Sequence, residues 1–213
     1  MKRSLIFLLP CVLLAAGCSP TESLMLPNVP DHPQLDVPAQ TVAGTLGFPK
    51  PNYNAEKDDP EWLTKATHFH GHLGPAIIFG CRVGMAALDA LEAKGYFDIE
   101  VTARGPFAEP PKSCVLDGLQ LATGATLGKR NLDAIVDEEY VITVKNRRTG
   151  VSVEIRPTPE LVTLMWSQLD PDHDDEDEED DDDHLEEMRR VEAVARQIAN
   201  MPLNEIMIIK RIQ

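Results

Sequence analysis

The sequence is poor in positive charge. Its 213 residues carry 20 Lys and Arg against 35 Asp and Glu, a net charge of −15. No cluster of lysines and arginines forms a phosphate-binding face, which excludes a nucleic-acid partner. The surplus acid is also not a property of the whole chain. Asp170 to Glu187 holds 14 acidic residues and no basic one, and outside it 21 acidic residues face 20 basic ones. The remainder is nearly neutral. Aromatics make up only 5%. No redox-cofactor motif is present, which counts against electron-transfer chemistry. Cysteine is scarce, with 4 in all.

Two of those cysteines belong to the start of the chain. Met1-Lys2-Arg3 is basic, and Leu5 to Ala16 is an apolar run that ends in Ala15-Ala16-Gly17-Cys18-Ser19. A run of about a dozen residues is too short to span a bilayer and suits a secretory signal. Small residues directly before Cys18 resemble a bacterial lipoprotein processing and acylation site. That resemblance implies a signal over 1–17 and a lipid anchor on Cys18. It places the chain at the periplasmic face of the cell membrane or the outer membrane, with Ser19 pointing to the outer one. Acyl chains on one residue anchor a protein without a spanning helix. Only Cys81 and Cys114 then remain as thiols. In an oxidising compartment they form a disulfide, or Cys114 stays free as a metal ligand or reactive thiol.

Proline, with 17 copies, recurs through residues 18–58 without hydrophobic periodicity, the pattern of an extended, semi-rigid tether. The domain is expected over 59–213. Asp58-Asp59-Pro60-Glu61 predicts a helix start with an acidic cap, the helix running from about Pro60 to Thr67. Pro75 opens a buried helix over Ala76–Ala93, ended by Gly95. Gly80 and Gly84 on it admit a close backbone neighbour. Arg82 is a lone cation there, expected to pair with a carboxylate or face an anionic group.

Ile99–Ala103 alternates as a strand, and Ser113–Gln120 reads as a short helix capped by Ser113. Strands follow at Ala134–Asp137, Tyr140–Asn146 and Val151–Arg156, the last two joined by a turn at Arg148-Thr149-Gly150. Pro157–Gln168, capped by Thr158, and Leu185–Asn200 are helices. Leu203–Ile212 closes as a strand burying Ile206, Ile208 and Met207. Helices and strands mix without βαβ alternation, so the expected fold class is α+β.

One stretch stands out chemically. Thr67-His68-Phe69-His70-Gly71-His72-Leu73-Gly74-Pro75 packs three of the 6 histidines into five residues. Imidazoles so close together can meet one cation or one polar ligand, with Gly71 letting the backbone turn between them. Phe69-His70-Gly71-His72-Leu73-Gly74-Pro75, followed by Gly80-Cys81-Arg82 and Gly84, resembles the opening motif of the formylmethanofuran dehydrogenase FmdE family. Ser113-Cys114-Val115-Leu116-Asp117-Gly118-Leu119-Gln120 resembles its second motif. Thr123-Gly124-Ala125-Thr126-Leu127-Gly128-Lys129-Arg130-Asn131-Leu132 resembles the third.

The resemblance implies a compact α+β domain with a mixed sheet packed by helices, of the kind also seen in glyceraldehyde-3-phosphate dehydrogenase domains. It implies a dimer and a metal, often zinc, bound by His and Cys. His70 and His72 take the histidine positions and Cys114 that of the second-motif cysteine. The chain departs from the pattern at Gly74 and Ala125, where the family has cysteines. The dehydrogenase activity of the family's namesake does not follow from the likeness.

Imidazole and thiolate suit zinc, and also copper or iron. Three ligands, His70, His72 and Cys114, leave a position open for water or a small ligand, with His68 as the reserve fourth. Asp117 lies one helical turn from Cys114, as a ligand or an orienting group. Lys129 and Asn131 sit in a glycine loop suited to an anionic ligand. Three functional readings follow: a metal- or metal-complex-binding protein; a hydrolase in which zinc activates water with Lys129 or Asp117 as acid or base; and an interaction module stapled by Cys81–Cys114. The acidic insertion over 170–184, with His173 and His184, is a self-repelling disordered loop or a collector of divalent cations such as calcium.

Overall fold

The structure is a computed structural model and describes residues 47–167 and 181–212. The signal, Cys18, most of the tether and residues 168–180 of the acidic stretch, His173 among them, lie outside the described residues. Phe48–Gln213 forms one compact unit.

Its frame is a five-stranded mixed sheet in the order β2-β1-β3-β4-β5. The strands are β1 (Ile99–Gly105), β2 (Leu132–Val136), β3 (Val141–Asn146), β4 (Ser152–Pro157) and β5 (Met207–Ile212). β1 and β2 run parallel and every other neighbouring pair is antiparallel. The expected α+β class with a mixed sheet is what the chain adopts. Alternation sorts the faces: Ile99, Val101, Ala103, Ile142, Val144, Val153 and Ile155 are buried, while Thr102, Arg104, Lys145 and Glu154 make the other face polar.

Helix α2 (Pro75–Ala90) is the central element, packed against α1 (Glu61–His70), α3 (Val115–Thr123), α5 (Asp181–Asn200) and β4. Its apolar residues surround the axis, so it is buried on nearly all sides. It crosses α3 at a contact of backbone on backbone. A Cβ on Gly80 would collide with the Val115 carbonyl, and one on Gly118 with the Ile77 carbonyl. Gly84 in turn faces Ala122 and Thr123.

Several local expectations hold. Pro75 opens α2, and Thr158 Oγ1 accepts a hydrogen bond from Leu161 N at the start of α4 (Pro159–Trp166). The β3–β4 turn sits at Arg148–Gly150, with Asn146 Oδ1 accepting from Arg148 N and Thr149 N.

Others are corrected. Helix α1 does not stop at Thr67 but runs through His70, ending where Gly71 takes φ 102°. Pro60 is its boundary residue and no side chain caps it. Asp59 instead accepts from Arg196 Nε at 2.8 Å, and Asn54 N donates to Glu192 Oε1 at 2.9 Å. The domain therefore begins ahead of residue 59, with this segment tied to α5. Ser113 makes no cap, because a 3₁₀ turn over Lys112–Cys114 precedes α3. Helix α5 begins at Asp181, inside the acidic stretch. Leu203–Ile206 is the short helix α6, and β5 follows it as an edge strand: Ile206 and Met207 are buried as expected, but Ile208 is 58% exposed.

Cys81 and Cys114 are separate free thiols. Cys81 is buried within α2, where desolvation pushes its thiol up to about 12, and no disulfide joins it to Cys114. Among the described residues no helix is long and apolar enough to cross a membrane.

Candidate metal and ligand site

Successive histidines on a helix two residues apart point to opposite sides. His68 is accordingly exposed on α1, while His70 turns inward. Gly71 then reverses the chain, and its carbonyl accepts a 2.7 Å hydrogen bond from Asn52 N. The reversal brings His72 back beside His70, with ring centroids 4.5 Å apart and planes at 45°. The two rings, Gly74 and Cys114 line a cavity of about 60 Å³ closed by Met165, Trp166 and Val191.

His70 is the fixed point. Its side chain is 8% exposed, and its Nδ1 lies 2.8 Å from Asp117 Oδ2. Gln120 Nε2 holds the other carboxylate oxygen at 3.4 Å. Asp117 raises the His70 imidazole to about 9, with help from Cys114 and against the effect of burial. In the metal-free protein at neutral pH His70 is therefore an imidazolium donating Nδ1–H to Asp117. Cys114 lies close enough to this ring to favour its charged form both as a hydrogen-bond acceptor and by charge, yet no group meets full hydrogen-bond geometry at the buried Nε2. His72 is open to water along one edge. Partial desolvation and the nearby His70 hold it below the ordinary imidazole range, so it is neutral.

Gly74 bears directly on the site. A Cβ at position 74 would stand 3.3 Å from His72 Nε2, so a thiol there would enter this cavity. Ala125 is buried away from the cavity, at the end of α3. Of the two departures from the family pattern, only that at Gly74 touches the site.

The remaining expected residues are not brought here. Asn131 is 1% exposed and fully engaged: Nδ2 donates to Tyr96 O (2.6 Å) and Ile99 O (3.0 Å), while Oδ1 accepts from Thr126 N (3.1 Å). Lys129 bonds back to Thr126 within its own loop. Arg82 forms no ion pair with a carboxylate among the described residues. It donates to the carbonyls of Ala199 and Met201, satisfying the negative C-terminal end of α5. Sequence reasoning missed Tyr140 and Trp166, which reach this region from the residue before β3 and from α4. Nothing local marks either one, although Tyr and Trp are the aromatics whose polar tips most often need a partner.

A family model described as FmdE, Molybdenum formylmethanofuran dehydrogenase operon, matches residues 69–208. The chain belongs to the FmdE family. A curated relative from Archaeoglobus fulgidus, a probable S-adenosyl-L-methionine-binding protein, is 26% identical over 147 residues, 64% of this chain and 38% of the relative. The chain thus spans well under half of that protein. Among solved structures, a tungsten formylmethanofuran dehydrogenase FmdE-like protein from Syntrophus aciditrophicus is similar, with 16% identity and a TM-score of 0.48. That likeness covers 72% of this chain and 71% of the other.

The donors fit a transition metal in kind. Two imidazoles and a thiol are a zinc set. A carboxylate fixing one imidazole from behind is the usual orienting partner, leaving Nε2 as the coordinating atom. Among the described residues no three His, Cys, Asp or Glu side chains already converge on one point, so an ion would draw His72 and Cys114 inward.

Proposed function

We propose that this FmdE-family protein is an exported lipoprotein, anchored through Cys18, that binds a transition metal, best zinc. His70, His72 and Cys114 are the ligands, and the open position takes a small ligand. The observation that carries this reading is His70 Nε2: buried, without a partner, and on a ring whose other nitrogen Asp117 already holds. A buried polar atom left unpaired costs stability and calls for a partner such as an ion. His68, exposed on α1, is not needed as a ligand. A bound metal would supply Lewis acidity at the open position. The hydrolase reading has less behind it, because Asp117 is committed to His70 and Lys129 lies outside the cavity.

The test is metal analysis of full-length protein alongside His70→Ala, Cys114→Ser and Cys18→Ala. Wild type retains about one zinc per chain through dialysis, both site variants lose affinity by about 100-fold or more, and Cys18→Ala keeps its metal but leaves the membrane fraction. A wild type that holds no zinc after loading overturns the metal reading. Unchanged membrane association of Cys18→Ala overturns the anchor alone.

A further inference from the structure

Beside the histidine cavity lies a much larger groove of about 620 Å³, walled by Tyr140, Pro157, Pro159, Val162, Trp166 and Lys112 among others. Two elements build both spaces. The turn Lys112–Cys114 presents Lys112 to the groove and Cys114 to the cavity. Helix α4 lines the groove with Pro159 and Val162, the cavity with Met165, and both with Trp166. The two spaces thus share a lip and a wall.

A second observation ties them together. Among the described residues, two buried side-chain polar atoms have no hydrogen-bond partner: His70 Nε2 and the Tyr140 hydroxyl. They come from α1 and from the residue just before β3, and they stand one in each space: His70 lines the cavity and Tyr140 the groove. Tyr140 is 6% exposed and its ring is pinned edge-on by Phe107 and Phe79. Packing therefore fixes the hydroxyl where it is, and burial keeps it a phenol that can donate. A donor held in an apolar setting without an acceptor is a group prepared for a ligand.

We infer that groove and cavity are one binding site for an aromatic carboxylate. The carboxylate occupies the open metal position and accepts from the Tyr140 hydroxyl, while the ring lies in the groove against Trp166 and the proline wall. The chemistry selects this class. An oxygen anion suits an open zinc position and a phenolic donor. Lys112, exposed at the lip, attracts negative charge; Glu138 and Glu139 also border the groove, with Glu139 paired to Arg156, and the walls around Trp166 are apolar. Arg156 also borders the groove but is already paired with Glu154 and Glu139, which leaves Lys112 and Tyr140 as the available donors.

This inference rests on the metal reading, and its test separates the two. Full-length protein is loaded with Co²⁺, whose visible bands report both metal binding and a change of ligand, and is titrated with benzoate and with acetate. Benzoate binds at least about tenfold more tightly than acetate, the ring supplying about 1.4 kcal/mol. Tyr140→Phe weakens both about tenfold and leaves cobalt affinity unchanged. Trp166→Leu brings benzoate down to the acetate level and leaves acetate untouched. Normal cobalt bands with equal benzoate and acetate affinity, or with no effect of Tyr140→Phe, overturn this inference alone. Absence of cobalt bands in the wild type overturns the metal reading and this inference with it.

Discussion

The molecule buries polar groups in two regions and treats them in opposite ways. Around the β1–β3 end, Asn131 and Asn146 are almost fully buried and completely satisfied. Asn131 ties Tyr96, Ile99 and Thr126 together, while Asn146 donates to Leu91 O at 3.2 Å and accepts from the Arg148 and Thr149 amides. Around Cys114, His70 Nε2 and the Tyr140 hydroxyl are buried and left open. The first region uses polarity to join chain segments distant in sequence. The second holds its polar atoms in reserve, while the other buried side-chain polar atoms among the described residues are paired. A polar residue in a glycine loop is therefore no sign of a ligand site, whereas an unpaired atom on a packed ring is.

The contrast can be broken most sharply from the satisfied side. Asn131→Ala strands two carbonyls and an amide, and is expected to cost about 3 kcal/mol, lowering the midpoint of thermal unfolding by about 10 °C. The folded fraction should still bind metal. A loss of metal without a loss of stability would move Asn131 back into the site.

An intermediate effect concerns the His70–Asp117 pair in metal-free protein. Folding raises His70 from 6.5 to about 9. Its contribution is thus fully present below pH 6.5 and is lost as pH rises through about 9. Asp117→Asn should destabilise the protein at pH 6 by on the order of 1 kcal/mol, since Asp117 is partly open to water. That gap should close by about pH 10 in denaturant titrations. A gap that does not change with pH would mean that the pair is not ionic.

The smallest effect is the most telling. Tyr140→Phe removes a hydroxyl with no partner and should change stability by less than about 0.5 kcal/mol, in either direction. A loss above about 1.5 kcal/mol would show that the hydroxyl serves the scaffold after all.

Much of this is legible in the sequence where the signal is local. The Pro75 start, the Thr158 cap, the hairpin turn at Gly150 and the alternation of β1 all depend on neighbours a few residues away. So does the pairing of His70 with His72, because Gly71 between them permits the reversal. What escapes the sequence is decided by distant parts of the chain. The parallel β1–β2 pairing requires a crossover through α3, and Arg82 finds its carbonyls more than a hundred residues away. Ile208 departs from the expected pattern because β5 is the edge strand of the sheet and is exposed on both faces from Ile208 to Arg211. The meeting of Tyr140 and Trp166 beside Cys114 belongs to packing alone.

The glycine crossing of α2 and α3 sets a further limit on what the site can accommodate. Where Gly80 meets Val115 and Gly118 meets Ile77, main chain abuts main chain with no side chain to act as a spacer. Cys114 stands directly before α3, and the histidine turn leads directly into α2. The backbone spacing between Cys114 and the histidine turn is consequently gauged by main chain on main chain, like the frame of a calliper whose jaws are the side chains. No rotamer change in the core can widen it. An ion bound as proposed would have to close the remaining distance through the His72 and Cys114 side chains alone, on a frame already set by two glycines outside the cavity.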